Sequence, residues 1–218
     1  SIGKIDENVY SLFRDQDKNM WIGTSNGLFL FKKGEMISLN KTISFPNVPI
    51  QSIVEDRFGT IWAGSWQSGL YSIKTTGNNN ENILFESITE QNGLLSDNIS
   101  SLAIDTLGNL VIGTFRGMQR GLLDKGSIQL SLNATRGLPN SQVFDIEYSP
   151  NYGMCLAFGD EGVFHSDIES NIWKKLPIQN IGLAYALFND RENFFWISSW
   201  EKAPVSYTQL TLPTICSV

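Results

Sequence analysis

Residues 50–71 read Ile-Gln-Ser-Ile-Val-Glu-Asp-Arg-Phe-Gly-Thr-Ile-Trp-Ala-Gly-Ser-Trp-Gln-Ser-Gly-Leu-Tyr. A short aliphatic strand runs into an Asp-x-x-Gly turn, a second strand closes on Gly64-Ser65, and Gly69-Leu-Tyr71 opens a third. Strand-length runs separated by turn residues predict antiparallel hairpins. The order recurs upstream as Val9 to Asp15, Met20-Trp-Ile-Gly-Thr24 and Gly27-Leu-Phe29. Downstream it returns as Ile99 to Asp105 with Leu110-Val-Ile-Gly-Thr114 and Gly117-Met118, and as Val143 to Tyr148 with Met154 to Phe158 and Gly162-Val-Phe164. A fifth copy begins Ala184 to Asp190 and Phe195-Trp-Ile-Ser-Ser199.

The starts at 9, 50, 99, 143 and 184 lie 41, 49, 44 and 41 residues apart, and in every copy the Trp-type position follows the first strand position by 12. The first and fourth positions of strand one and the first and second of strand two are apolar in all five copies. A β-sandwich shares short, evenly spaced strands but has no reason to repeat one motif at one period. Four antiparallel strands per ~40 to 45 residues is the blade of a β-propeller. The expected fold is therefore all-β, a partial propeller of about four and a half four-stranded blades at 9–47, 50–96, 99–140, 143–181 and 184–202. Weaker fourth strands fit Met36 to Leu39 and Ile83 to Ile88.

Trp21, Trp62 and Trp196 are expected to be structural anchors between blades, and Gly23, Gly64 and Gly113, two places past the Trp column, to leave room for the next blade. The third residue of strand one is small in four copies (Ser11, Ser52, Ser101, Ala186), as a strand crowded near the axis requires, and Asp145 breaks that pattern.

Composition narrows the function. The 218 residues carry 22 acidic against 16 basic side chains, a formal charge of −6. An acidic surface gives no electrostatic reason to approach nucleic acid or an anionic membrane. Cys155 and Cys216 cannot build a disulfide framework or a four-ligand zinc site, and one histidine, His165, removes most triad and metal chemistry. No metal and no cofactor is expected.

Glu55-Asp-x-x-Gly-x-Ile-Trp-x-Gly-Ser65, Gly93-Leu-Leu-Ser-Asp-Asn-Ile99 and Gly137-Leu-Pro-Asn-Ser141 together resemble the two-component regulator propeller repeat. The resemblance covers about residues 8 to 202, and the fourth copy departs from it, with Cys155 in the Trp column and no Asp-x-x-Gly. It implies the extracytoplasmic, periplasmic sensor region of a bacterial hybrid two-component regulator, often concerned with polysaccharide use, with further blades and downstream signalling domains as its partners. The start Ser1-Ile2-Gly3-Lys4 carries no initiator Met or signal peptide, so the chain is read as an excerpt. Residues 203–218 carry no charge and lack the Gly-Leu pair expected near 203; they resemble a sequencing-adapter scar and are read as a non-native tail.

Several groups are candidates for chemistry. Asp15-Gln-Asp17-Lys-Asn19 mimics the opening of a calcium loop but aligns with the turns at Asp56 and Asp105, so a structural turn is expected. Asp160-Glu161 are adjacent in a hairpin turn, where side chains point apart, so no catalytic residue is assigned. His165 is expected just past the strand Val163-Phe164, at the surface, and Cys155 as a small buried hydrophobe. Loops after strand two share a face with the lead-in to strand one. Asn26, Trp66, Phe115, Arg116 and Trp200 are thus expected on one rim with Asp97, Asn98 and Asn140, as ligand-binding residues for an oligosaccharide. The function expected is a ligand-sensing propeller without chemistry. A protein-binding scaffold is the alternative, which a large exposed apolar rim patch would favour, and a propeller lyase or glycosidase is a third reading.

Overall fold

The computed structural model describes residues 4–76, 82–125, 127–131, 137–166, 172–178 and 181–200, and the backbone of 205–207. Blade one comprises β1 (Val9–Arg14), β2 (Met20–Thr24), β3 (Gly27–Lys32) and β4 (Glu35–Ser38). Blade two comprises β5 (Ile50–Glu55), β6 (Ile61–Ser65), β7 (Leu70–Thr76) and β8 (Asn82–Ile88); blade three β9 (Ile99–Ile104), β10 (Leu110–Thr114), β11 (Gly117–Asp124) and β12 (Ser127–Ser131). Blade four is β13 (Asp145–Ser149), β14 (Gly153–Ala157), β15 (Val163–Ser166) and β16 (Lys174–Lys175), and blade five is β17 (Ala184–Asn189), β18 (Phe195–Ser199) and β19 (Val205–Tyr207).

Each sheet pairs its strands in sequence order and antiparallel, giving four four-stranded sheets and one of three among the described residues. The inner strands β1, β5, β9, β13 and β17 succeed one another in space. The fold is an all-β propeller arc. One helical turn, α1 (Leu39–Ile43), links blades one and two where the sequence showed no helix, and Leu39 anchors it in the core. Of the tail read at 203–218, β19 pairs with β18 and the rest lies outside the described residues.

Glycine sets the distance between blades. A Cβ added to Gly64 would stand 2.5 Å from Ile99 Cγ2, and one on Gly113 2.8 Å from Val143 Cγ1. One on Gly23 would meet the Ile50 backbone oxygen at 2.7 Å. The first inner-strand positions of blades two to four therefore rest on the naked backbone of the preceding blade, while in blade four Ala157 takes the glycine place and packs in one buried cluster with Ala184 and Leu187. Ile50, Ile53, Ile99, Leu102, Val143, Ile146, Ala184 and Leu187 are all buried there, whereas their blade-one equivalents Val9 and Leu12 are 47% and 65% exposed.

Within a blade the Asp-x-x-Gly turn is tied to the tryptophan six residues on. Asp56 Oδ1 accepts the backbone N–H groups of Phe58 and Thr60 at 2.8 and 3.0 Å, and its Oδ2 accepts the Trp62 indole N–H at 2.9 Å. Asp15 with Trp21 and Asp190 with Trp196 repeat the bond at 2.8 and 2.7 Å. The indole N–H and two backbone amides hold the Asp190 carboxyl below its ordinary range. Trp21 and Trp62 are 1% and 0% exposed, so an otherwise orphaned donor is satisfied inside the core. The Asp15 carboxylate is committed to this turn and indole.

Blades three and four lack the indole and replace it from the third strand. In blade three Val111 stands in the Trp column, and its cross-strand partner Arg120 places Nε 3.4 Å from Asp105 Oδ2 in a buried ion pair. In blade four Cys155 faces His165, whose Nδ1 lies 3.2 Å from the Tyr152 carbonyl oxygen in the turn. Ser149 takes the Asp place there, its Oγ accepting from the Asn151 N–H at 3.3 Å. His165 is therefore a half-buried member of β15 rather than a surface residue beyond the strand, because the missing indole leaves its turn in need of a donor. Burial pushes the Cys155 thiol up, with the Glu147 charge adding to it.

Near the axis the third inner-strand residue of blades one to four bonds to the next blade. Ser11 Oγ donates to the Ile50 carbonyl at 3.3 Å, Ser52 Oγ accepts from the Leu102 N–H at 3.0 Å, and Ser101 Oγ donates to Asp145 Oδ1 at 3.2 Å. Asp145 Oδ2 accepts the Leu187 N–H at 2.8 Å. Two residues on, Glu147 accepts the Asn189 N–H. The residue that broke the small-side-chain pattern is the one that spans three blades.

Replacing Arg120 with Leu leaves the buried Asp105 carboxylate its Leu107 and Asn109 donors but no cation, and should cost about 1 to 3 kcal/mol in urea unfolding. Combining Val111→Trp with Arg120→Ser rebuilds the Trp62 and Ser72 pair of blade two and should recover most of that loss. A second test concerns acidity. Burial holds the Asp145 and Glu147 carboxyls above their usual range. Both then bind protons more tightly folded than unfolded, so their contribution is full below the unfolded pKa of ~4 and is lost as pH rises through the folded values. Asp145→Ser, the residue of blades one to three, should make the fall of the urea midpoint above pH ~4 shallower.

Candidate functional site

In blades one to three the hairpins between strands two and three are locked by one hydroxyl each. Thr24, Ser65 and Thr114 donate to the carbonyl oxygens of Gly27, Gly69 and Gly117 at 3.0, 2.7 and 2.8 Å. Those glycines sit at φ of 107°, 77° and 117°, the region an L side chain resists. The first residue past strand two then donates its N–H to the carbonyl just before strand one: Ser25 to Asn8, Trp66 to Pro49, Phe115 to Asn98 and Trp200 to Leu183, at 2.8 to 3.1 Å. Trp66, Phe115 and Trp200 thus occupy equivalent places on rigid turns at one end of the axis.

A second set of side chains arrives from the inner strands. In blades one, two, three and five the pairing of strand one with strand two slips by one residue between its first and third positions. Tyr10, Gln51, Ser100 and Tyr185 are the extra residues, and such a bulge re-aims its side chain. Blade four supplies Phe144 at this place. A Cβ on Gly159 would lie 2.9 Å from the Phe144 ring, so the loop glycine makes room for an inner-strand aromatic.

These two sets meet around a hollow of about 200 Å³. Trp66, Phe115, Phe144 and Tyr185 form its aromatic crescent, with Gln51, Ser100 and Gln142 as polar groups above Ile99. The rings pack in two groups: Trp66 and Phe115 centroids lie 6.2 Å apart, and Phe144 and Tyr185 5.6 Å with Tyr185 and Trp200 5.4 Å. Ser100 Oγ is spent on the Gly113 and Val143 carbonyl oxygens. The side-chain amides of Gln51 and Gln142 have no hydrogen-bond partner among the described residues. What the arrangement offers is flat apolar faces beside uncommitted amides.

The residues expected on the rim separate. Trp66 and Phe115 line the hollow, and Trp200 packs on Tyr185 at its outer edge, 73% exposed. Arg116 turns to Glu90, Nη1 to Oε2 3.0 Å, and to the Leu95 carbonyl at 3.5 Å. Asp97 is held in the same cluster, its Oδ1 accepting the Glu90 N–H and its own N–H donating to Glu90 Oε1. Asn98 serves through its backbone, and Asn140 stands exposed beside Gly117. Asn26 belongs to a different hollow of about 400 Å³ with Lys4, Phe29 and Asn40, its carbonyl accepting from Asn40 Nδ2 at 3.2 Å. Gln51, Ser100, Gln142, Phe144 and Tyr185 are additions. The signal for most of them was the second position of strand one, which lies between two apolar columns and carries four residue types in five copies.

A larger hollow of about 460 Å³ lies between Asp160, Lys175, Leu176 and Leu183, outside the axis and without an aromatic face. Among the described residues no group of three His, Cys, Asp or Glu side chains is placed to hold a metal, and no helix is long and apolar enough to cross a membrane.

Residues 3–26 and 44–67 match the family model described as two component regulator propeller. A histidine kinase designated P4 from Formosa agariphila is 33% identical over 75 residues, 30% of this chain and 6% of that protein. Among solved structures, the extracellular domain assigned to a hybrid two component system of B. thetaiotaomicron superposes with a TM-score of 0.73 at 16% identity, over 95% of this chain and 29% of that one. A catalytically inactive histidine variant of virginiamycin B lyase from Staphylococcus aureus, solved with quinupristin, gives 0.71 at 14% identity, over 99% of this chain and 71% of that one. The chain therefore spans a small part of the kinase and under a third of the extracellular domain. Likenesses at these identities carry the propeller fold.

Proposed function

We propose that this chain, whose residues 3–26 and 44–67 are two component regulator propeller repeats, is part of the periplasmic sensing region of a bacterial two-component regulator and recognises a carbohydrate at the axial mouth. Further blades and downstream signalling domains are its partners in this reading, and it performs no chemistry itself. The observation that carries it is the crescent of Trp66, Phe115, Phe144 and Tyr185 beside the uncommitted amides of Gln51 and Gln142. A sugar ring needs an apolar face for its C–H groups and neutral donors and acceptors for its hydroxyls. The relative's designation as a histidine kinase and the neighbour's as an extracellular domain support the signalling context.

The placement of His165 supports a non-catalytic reading. It is built into β15 against Tyr152, with ring centroids 5.8 Å apart, and is absent from the lining of the mouth.

A second reading, docking of a partner protein on the same rim, is favoured by the exposure of Trp66, Phe115, Tyr185 and Trp200, 38 to 73%. Adjoining exposed aromatics of this kind are what protein partners cover.

Trp66→Ala and Phe115→Ala should leave the thermal midpoint nearly unchanged, since both side chains project from loops, and should each weaken oligosaccharide binding by roughly tenfold, about 1 kcal/mol or more per lost ring. Isothermal titration of the chain against an oligosaccharide panel reads the affinity, and circular dichroism reads the fold. Unchanged affinity in both variants removes the mouth as the site and leaves partner docking ahead.

A further inference from the structure

The charge of the ligand is readable from what the mouth contains and what has been drawn away from it. Arg116, the cation nearest in sequence to the aromatic turn, is paired with Glu90 at 3.0 Å and capped by the Leu95 carbonyl. Both contacts tie it to the segment before blade three, whereas Phe115, the residue before it, lines the hollow. No Lys, Arg, Asp, Glu or His is among the described residues lining that hollow.

One residue further along the inner strand from Phe144 comes Asp145, whose oxygens are bonded to Ser101, Ile146 and Leu187. That carboxylate is spent inside the fold, and an acidic ligand entering the mouth would find no cation to receive it, in a chain that already carries −6. A strongly cationic ligand is also poorly matched, because the free polar groups are two neutral amides. The hollow, at about 200 Å³, is smaller than the ~300 Å³ at which pockets for drug-sized ligands begin.

Resting on the carbohydrate reading above, we infer that the axial mouth admits a single uncharged sugar ring, stacked between the Trp66–Phe115 and Phe144–Tyr185 pairs and hydrogen-bonded by Gln51 and Gln142, and that Arg116 takes no part in recognition. The site therefore reads one neutral residue of a glycan and discriminates against uronic and sulfated rings. Discrimination of this sort needs no repulsive contact at the mouth: a charged group would lose its hydration there and gain no counter-charge.

The test applies the full chain to an array of neutral, uronic and sulfated oligosaccharides, with tryptophan fluorescence titration of every hit at 50 and 300 mM salt. The expected hits are neutral, insensitive to salt, weakened at least tenfold by Gln142→Ala and by Tyr185→Ala, and unchanged in Arg116→Ala. Acidic hits whose affinity falls with salt and with Arg116→Ala would overturn the inference while leaving carbohydrate recognition in place. Quaternary ammonium probes such as choline, titrated in parallel, overturn it if they bind while sugars do not. The absence of any saccharide hit, with the chain shown folded by circular dichroism, defeats the carbohydrate reading itself. Should Tyr185→Ala unfold blade five, Gln142→Ala, on the half-buried lead-in of blade four, still decides the outcome.

Discussion

Across the first three blade junctions, neighbours approach until a methyl-bearing side chain of one touches the peptide backbone of the other, and this contact requires a residue without a Cβ. Gly23, Gly64 and Gly113 meet the requirement at strand positions with ordinary negative φ, so their role is steric rather than conformational. Dispersion falls steeply with a gap of even half an ångström, so the first and fourth residues of each inner strand gain their full packing only at that distance. Much else follows from this spacing. The indole of Trp62 fits with Ile99 and Leu102 in one buried cluster, and the serines near the axis come within hydrogen-bond reach of the next blade. Blade five keeps the geometry with Ser198 in the same column, whose hydroxyl turns inward to accept the Ala186 N–H at 3.2 Å.

Polar groups complete what packing begins. Each turn carboxylate or its substitute is tied to a donor from its own blade, and the identity of that donor changes with the local sequence: an indole in blades one, two and five, a guanidinium in blade three, an imidazole near the turn carbonyl in blade four. Burying a carboxylate is costly, and where Trp is lost at position 111 the Asp105 Oδ2 is held instead by the Asn109 side-chain amide and by Arg120 opposite. The same logic joins blades three, four and five through Asp145, where a carboxylate receives backbone amides that a serine would receive singly.

The architecture was legible in the sequence because the packing columns repeat. A constant offset of 12 residues separates the first strand residue from the Trp column, and both positions carry apolar side chains in all five copies. The mouth was legible only in part. Trp66, Phe115 and Trp200 stand at a fixed distance from the Gly column and could be aligned; Gln51, Ser100, Phe144 and Tyr185 share a place in space but no residue type. Arg116 was misplaced because its partner Glu90 lies 26 residues back, on a 3-10 turn (Glu90–Asn92) that no periodicity announces. Asn26 was misplaced for a similar reason, since the amide that draws it outward, Asn40, sits on a helical turn between blades.

The bulge in the inner strands separates two kinds of inheritance. Its residue stands outside the regular cross-strand pairing, and in blades two, three and five it is the one delivered to the mouth. Drift at that place can rewrite what the ring encounters while the columns on either side stay under constraint. Duplicated blades can therefore diverge as a combinatorial surface, each copy offering one independently variable letter, which gives a repeat protein a route to new specificities that does not pass through instability.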